Sequence, residues 1–252
     1  MTHILLLGGT TEASRMANAL ADAGLKAVFS YAGRTGNPLP QPLPVRVGGF
    51  GGITGLLAFL RNEGISQVID ATHPFAAEMS GNAIAACAET GVPLIAIERP
   101  QWQPVESDLW HRVADIPTAA ATLPDKPARV FLTIGKRQLD AFAAAPQHHY
   151  LVRVIDVPDE PLPFPNADLV AARGPFTYQG DLDLMRSHNT ERLVTKNAGG
   201  DAARGKLDVA RYLGLPVIMV DRPPLPARQA VTTVAEVMDW LRRTHDTARL
   251  GV

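Results

Sequence analysis

The sequence predicts an α/β protein with parallel β-sheets, and two observations carry that prediction. Short apolar runs of strand length alternate along the chain with longer segments whose apolar residues recur at helical spacing. Glycine and proline, 21 of each among 252 residues, separate most of these segments. Such alternation is typical of strand–helix–strand units, whose successive strands run parallel because a helix returns the chain to the starting edge of the sheet.

The first half of the chain begins with a predicted strand at residues 4–7 and a predicted helix at residues 12–23. In this helix the apolar residues recur at positions i, i+3, i+4, i+7 and i+8 from Ala13, and Gly24 ends it. The same criteria predict the other elements of this half: strands at residues 27–31, 45–47, 67–71 and 93–97, and helices at residues 53–62 and 76–89.

The segment "RPQWQPVESDLW", residues 99–110, interrupts the alternation with two prolines and is interpreted as part of a crossing between two domains. Beyond it the alternation resumes, with strands predicted at residues 130–133, 150–154, 193–195 and 217–220, and helices at residues 136–144, 178–187, 205–212 and 234–243. We therefore predict two Rossmann-like domains with an interdomain cleft: residues 1–98 and 129–252, joined by a crossing segment at residues 99–128.

Composition excludes several function classes. The net charge is −1 with 19% charged residues, so there is no basic excess for binding nucleic acid. No apolar run reaches the length of a membrane span and no basic leader precedes an apolar one, so we expect a cytoplasmic protein without a membrane partner. The one cysteine, Cys87, lies on an apolar stripe with Met79 and Ala83, which indicates a buried thiol.

The stretch "ILLLGGTTEASRMANAL", residues 4–20, has the layout of a strand, a turn and a helix that bind a dinucleotide. Gly8 and Gly9 allow a sharp turn close to a pyrophosphate, and the amide groups at the start of the helix attract phosphate. Thr10 and Thr11 are suited to capping the helix or donating to phosphate oxygens, and Glu12 to the helix end or a ribose hydroxyl. The alternative is a tight turn without a ligand.

The end of the second strand indicates which dinucleotide binds. Folds that bind NAD usually place an acidic residue there to contact the ribose 2′-hydroxyl, whereas "FSYAGRT" supplies Ser30 and Arg34 instead. A hydroxyl and a guanidinium suit a 2′-phosphate, which favours NADPH as the cofactor. Arg34 as a solvated loop residue is the alternative.

A third candidate segment is "VIDATHPFAAEMS", residues 68–80. Thr72, His73 and Pro74 lie between a predicted strand and a predicted helix, at the carboxyl edge of the sheet, where open α/β sheets bind ligands. We predict that they contact the cofactor, with His73 as a candidate proton donor or nicotinamide-positioning residue. The alternative for His73 is a loop histidine bonded to the backbone.

Several cations follow strands in the second half. "GDAARGKL", residues 200–207, fits the glycine and lysine spacing of a P-loop but has leucine where Mg²⁺ needs Ser or Thr, which argues against an ATPase. The cations predict a small ligand with several carboxylates; they are Lys136, Arg153, Arg173, Lys196 and Lys206. We predict no metal site, because the rings of the adjacent His148 and His149 diverge on a strand.

The ordered motifs "GGTTEA", "SYAGR", "DATHPFA", "TIGKRQL", "ARGPF", "VTKNAGG…GK" and "VIMVDRP" resemble the precorrin-6A reductase family of cobalamin biosynthesis over roughly residues 3–243. Asn197 and Ala198 depart from the "T-K-[DE/S]-S-G" of many relatives. The resemblance implies that NADPH delivers a hydride to the C18–C19 double bond of precorrin-6A, giving precorrin-6B, in two Rossmann-like domains with a cleft.

The resemblance also implies a polycarboxylate tetrapyrrole as the small-molecule substrate, bound by the cations of the second half, and leaves room for transient contact with neighbouring pathway enzymes. The proton for the neighbouring carbon would come from His73, a lysine or water. Two other classes share the predicted features. One is an enzyme acting on a nucleotide-sugar, whose main phosphate site would lie in the C-terminal domain, and the other is a dinucleotide-sensing binding module.

Overall fold

The computed structural model describes residues 2–33, 36 and 38–250, with side chains up to residue 244. The chain divides into two compact units. The first unit comprises Met1–Arg99 and Pro224–Val252, and the second comprises Pro100–Pro223. Each unit contains one six-stranded sheet, and every strand pair in both sheets is parallel. The predicted α/β class is confirmed.

The sheet of the first unit has the order β12-β5-β4-β1-β2-β3. Its strands are β1 (Ile4–Leu7), β2 (Ala27–Tyr31), β3 (Val45–Val47), β4 (Gln67–Asp70), β5 (Leu94–Ile97) and β12 (Ala230–Val231). Its helices are α1 (Thr11–Asp22), α2 (Gly52–Asn62), α3 (Ala77–Thr90) and α7 (Val234–Leu250).

Strand β1 is buried along its whole length because helices cover both faces of the sheet. Leu6 packs on one face in a core that includes Met16 of α1 and Val237 of α7. Leu5 packs on the other face, in a core that includes Leu56 of α2. This two-sided burial explains why the strand reads as an unbroken apolar run rather than as an alternating one.

The sheet of the second unit has the order β6-β11-β10-β7-β8-β9. Its strands are β6 (Trp110–Val113), β7 (Arg129–Thr133), β8 (His149–Val154), β9 (Ala167–Ala171), β10 (Arg192–Lys196) and β11 (Val217–Val220). Its helices are α4 (Ile116–Ala121), α5 (Tyr178–Ser187), α6 (Gly205–Tyr212) and a 3₁₀ helix (Lys136–Ala144).

Strand order reverses direction once in each sheet, as in Rossmann-like folds. In the first sheet the reversal lies between β1 and β4, and in the second between β7 and β10. Open α/β sheets bind ligands outside the carboxyl ends of the strands at this point. The loops that follow these four strands are therefore the places where the fold favours a ligand.

The unit boundaries differ from the predicted ones. The predicted crossing segment, residues 99–128, contains β6 and α4 of the second unit, and residues 224–252 belong to the first unit rather than the second. The reason is packing: β12 pairs with β5, and α7 places Trp240 and Leu241 in the core beside β1.

Most predicted elements are present, often with bounds that agree within a residue or two. The structure adds β6, β9, β12 and α4, and residues 136–144 form a 3₁₀ helix. Among the described residues, no helix combines the length and the apolar character that crossing a bilayer requires.

Candidate functional site

The loop after β1 contains two glycines, and each position requires glycine for a different structural reason. Gly9 has a φ of 119°, is exposed, and has open space where a Cβ would project. A Cβ on Gly8 would lie 2.1 Å from the ring of Phe29. Gly9 thus provides the open backbone that a phosphate could approach, whereas Gly8 allows the loop to pack on β2.

Thr10 joins the loop after β1 to the loop after β4. Its Oγ1 accepts a hydrogen bond from the amide of Ala13 at 3.1 Å, which caps helix α1, and donates one to the carbonyl of Ala71 at 2.8 Å. Thr11 is exposed in the first turn of α1. Because the Thr10 hydroxyl is already used in the cap, a phosphate at this helix end would be met chiefly by backbone N–H groups and the helix dipole.

Glu12 is held in an ion pair with Arg99, which follows β5. The two side chains approach to 3.1 Å and are 18% and 16% exposed, respectively. The sequence left two roles open for Glu12, at the helix end or at a ribose hydroxyl. The structure shows instead an ion pair that connects the start of α1 to the residues after β5. One oxygen of the carboxylate therefore contacts Arg99.

Asp70, at the end of β4, organises the loop that follows it. One carboxylate oxygen accepts from the amide of Thr72 at 3.1 Å and from its hydroxyl at 2.8 Å. The other oxygen accepts from Ser80 at 2.7 Å and from the guanidinium of Arg228. Asp70 is 2% exposed, so this buried network fixes the position of Thr72. Sequence reasoning missed both Asp70 and Arg228, whose partnership spans distant parts of the chain.

His73 lies half-buried in the same loop, and Pro74 beside it is buried. The Nδ1 atom of His73 accepts from the amide of Phe75 at 3.2 Å, and the His73 carbonyl accepts from the amide of Ala76 at 2.7 Å. With Nδ1 accepting, the neutral ring carries its proton on Nε2. The alternative, a loop histidine bonded to the backbone, predicted such contacts. The same contacts place the proton on Nε2, the tautomer that a proton donor would need.

Ser30 is buried at the end of β2, and its Oγ accepts from Arg46 at 2.9 Å. Arg46 lies on β3, also donates to the carbonyl of Gly48 at 2.9 Å, and stacks over the ring of Phe50 at 3.8 Å. Burial lowers the pKa of Arg46. Arg34 lies outside the described residues. The described cation beside Ser30 is thus Arg46, which the sequence reasoning did not single out although strand pairing places it opposite Ser30.

Three predicted cations lie at the carboxyl edge of the second sheet, at or just after the ends of its strands. Lys136 is exposed at the start of the 3₁₀ helix that follows β7, Lys196 is half-buried at the end of β10, and Arg173 is exposed just after β9. Parallel strands bring these positions to one edge, so the structure groups residues that are up to 60 positions apart in sequence.

Two other predicted cations are buried and engaged within the second unit. Arg153 is 8% exposed, pairs with Asp181 and stacks over the ring of Phe176 at 3.7 Å. Lys206 is 4% exposed and donates to the carbonyl of Ala203 at 3.0 Å. Their burial disfavours the direct contact with a ligand that the sequence predicted, because a free carboxylate would have to displace these partners.

The "TKNAGG" turn packs tightly against the beginning of the second unit. The side chain of Asn197 accepts from the amide of Trp102 at 2.9 Å and donates to its carbonyl at 3.0 Å. A Cβ on Gly199 would lie 2.2 Å from the carbonyl oxygen of Pro100. Asn197 and Gly199 therefore have structural roles here.

The adjacent histidines lie in different surroundings: His148 directly precedes β8, and His149 is its first residue. His148 is buried and accepts from the amide of Ala128 at 3.1 Å. His149 instead faces Asp168 and His188, and the ligand atoms of these three residues lie within 4.8 Å of one another. The prediction that nothing in the chain resembles a metal site did not anticipate this group, whose members are distant in sequence.

Comparison with known proteins places these features in a family. The family model described as precorrin-6x reductase CbiJ/CobK matches residues 3–242. The chain is 61% identical over 241 residues to the precorrin-6A reductase of Rhodobacter capsulatus, covering 96% of both chains. It is 47% identical to that of Rhodococcus erythropolis, covering 96% of this chain and 98% of the relative. A solved structure of CobK precorrin-6A reductase matches with a TM-score of 0.93 and 60% identity, covering 96% of this chain and 97% of that one.

Proposed function

The chain belongs to the precorrin-6x reductase family, and from that membership we propose that it reduces precorrin-6A with NADPH in cobalamin biosynthesis. The reaction we propose adds a hydride and a proton across the C18–C19 double bond and gives precorrin-6B. The observation that carries the proposal is the similarity to a precorrin-6A reductase over nearly the full length of both chains. The strand-order reversal of the first sheet supports a dinucleotide site at that point.

The residues around the loop after β1 fit a dinucleotide. Gly9 offers an exposed backbone with no side chain, and helix α1 begins two residues later at Thr11, so amide groups and the positive helix end are available to a pyrophosphate. When bound, NADPH supplies the hydride. Gly8, Thr10 and Glu12 support this loop through their contacts with Phe29, Ala71 and Arg99.

We assign the loop after β4 to the nicotinamide end of the cofactor. The hydrogen bond from Thr10 to Ala71 joins this loop to the pyrophosphate loop, and the Asp70 network holds Thr72 in place. His73 and Pro74 follow in the same loop. Of the proton sources that the reaction could use, His73 has a defined tautomer, and a lysine or water remain the other two.

The 2′-phosphate of NADPH is assigned to the end of β2, with Ser30 and Arg34 as its partners and Arg46 as the neighbouring cation. Replacing Arg34 by Ala should weaken NADPH binding at least tenfold, equivalent to about 1.4 kcal/mol, while leaving NADH binding unchanged. Titration of cofactor binding by tryptophan or nicotinamide fluorescence measures both. Arg61→Ala, an exposed arginine of the same unit, is the matched control. Equal losses for both cofactors, or no loss, contradict this assignment.

The acidic side chains of the tetrapyrrole are assigned to the exposed edge of the second sheet, chiefly Lys136, Arg173 and Lys196. Arg153 and Lys206 then support that edge indirectly, Arg153 through Asp181 in the first turn of α5 and Lys206 through the carbonyl of Ala203 before α6. The substrate is a polycarboxylate, so these cations match its charge.

The decisive experiment is the reaction itself. Purified protein with precorrin-6A should oxidise NADPH, detected by its absorbance, and yield a product heavier by two hydrogens in mass spectrometry. Lys136→Gln should raise KM for the tetrapyrrole without changing KM for NADPH. NADPH binding without oxidation in the presence of precorrin-6A points to a dinucleotide-sensing module. A main phosphate site in the second unit points to a nucleotide-sugar enzyme.

A further inference from the structure

Two histidines and an aspartate form a cluster at the amino-terminal edge of the second sheet. His149 is the first residue of β8, Asp168 is the second residue of β9, and His188 directly follows α5. The cations assigned to the tetrapyrrole lie at the opposite, carboxyl edge of the same sheet. This cluster is therefore separate from the candidate reductase site, and nothing in the proposed reaction uses it.

The three side chains converge on one point. The Nε2 atom of His149 lies 2.9 Å from Oδ2 of Asp168, and Nδ1 of His188 lies 3.2 Å from the same oxygen. All three ligand atoms lie within 4.8 Å of one another. Neighbouring ligands around a tetrahedral zinc ion, with bonds of about 2.0 Å, are separated by roughly 3.3 Å. Small adjustments of the half-buried His149 and the exposed Asp168 would thus bring all three atoms to bonding distance of one ion.

The cluster is carried by fixed elements. Strands β8 and β9 are paired directly, so His149 and Asp168 project from neighbouring backbones of known register. The His188 side chain is 3% exposed, and its carbonyl accepts a hydrogen bond from the guanidinium of Arg129. The imidazole rings of His149 and His188 contact each other edge to face, with centroids 5.1 Å apart. Such preorganisation lowers the cost of assembling a metal site.

We propose that His149, Asp168 and His188 form a three-ligand binding site for a divalent transition metal of the zinc class. Two imidazole nitrogens and one carboxylate oxygen are the donor set that zinc and its neighbours prefer, whereas magnesium and calcium prefer oxygen donors alone. Water completes the coordination, because the Asp168 side is exposed. A bound ion would link β8, β9 and the end of α5, so its effect is on the stability of the second unit.

The surrounding charges set the affinity that we expect. Nη2 of Arg129 lies 3.4 Å from Nδ1 of His188, and this cation opposes a bound metal ion. We therefore expect binding in the micromolar range rather than the much tighter binding of four-ligand structural zinc sites.

The test is a titration of the full-length, untagged protein with Zn²⁺ in competition with a chromophoric chelator. We expect one ion per chain, and at least a tenfold loss of affinity in His149→Ala and in Asp168→Asn, which change a half-buried and an exposed side chain, respectively. The matched control is His111→Ala, an exposed histidine on β6 of the same unit, which should bind like the original protein. Zn²⁺ should also raise Tm of the original protein and of the control, but not of His149→Ala.

Circular dichroism of each variant shows whether the fold is retained, and Asp168→Asn keeps the size of the side chain. The proposal is overturned if Zn²⁺ fails to compete with the chelator, or if His149→Ala and His111→Ala lose affinity equally. Either result would leave a hydrogen-bonded pair of imidazoles on a shared carboxylate. Because the readouts are metal binding and Tm, neither depends on the reductase assignment.

Discussion

Gly8 and Gly9 show that neighbouring residues of one motif can be required for different reasons. The sequence identifies both as turn glycines, because a glycine pair after a strand is typical of phosphate-binding turns. Only the structure shows that Gly8 lies against the Phe29 ring while Gly9 has a positive φ and open space. The distinction depends on which side chain of β2 faces the loop, and that depends on the strand register.

Replacing Gly8 by Ala should lower the free energy of unfolding by about 1–3 kcal/mol, the usual cost of overpacking. The added methyl would lie 2.1 Å from the Phe29 ring, so either the ring or the loop must move. Urea unfolding measures the change. Gly81→Ala on α3, where a Cβ meets nothing within 4 Å, is the control and should be neutral or slightly stabilising. The Gly8→Ala cost should shrink in a Phe29→Leu background; an unchanged cost there would contradict the explanation.

The cations of the second half show which properties of single residues a sequence can predict and which it cannot. Charge and a position near the end of a strand predicted Lys136 and Arg153 equally well as ligands for carboxylates. The structure leaves Lys136 exposed and pairs Arg153 with the buried Asp181, which is 28 residues further along the chain. Which cation is neutralised internally depends on tertiary contacts, and a single sequence does not contain them.

Helix α1 depends on a cap that also connects two loops. The hydroxyl of Thr10 satisfies the amide of Ala13 and reaches across to the carbonyl of Ala71. Thr10→Val, which keeps the shape and removes the hydroxyl, should therefore cost about 1–2 kcal/mol of stability. Thr10→Ser should cost less than half as much. Thermal unfolding of the two variants side by side checks this order, and a loss in Thr10→Ser as large as that in Thr10→Val would contradict the role given to the hydroxyl.

Elements were predictable where burial leaves a strong periodic pattern. Strands β1 and β4 are buried throughout, and the apolar residues of α1 recur at helical spacing on its buried face. The elements that escaped prediction include the edge strand β9, which is mostly exposed, and β12, which has two residues. Short edge strands carry little apolar signal because one side of each faces solvent.

At the scale of the whole chain, the sequence predicted two α/β domains but not that the first is discontinuous. The apolar face of α7 is visible in the sequence, yet its partner is not, because periodicity shows that a face is buried and not what buries it. Strand β12 pairs with β5, and Arg228 pairs with Asp70, so the last segment of the chain completes the first unit. Chain order alone favoured assigning that segment to the second domain.

This arrangement predicts how fragments behave. Residues 100–223 should unfold cooperatively on their own, whereas residues 1–99 should not fold unless residues 224–252 are joined to them by a short flexible linker. Without α7, the core of the first unit loses Val237, Trp240 and Leu241, all buried, at about 1.5–3 kcal/mol each. That loss approaches the whole stability of an ordinary domain, which is about 5–15 kcal/mol. Circular dichroism melts of the three fragments test this, and a cooperative transition in residues 1–99 alone would refute the role assigned to the last segment.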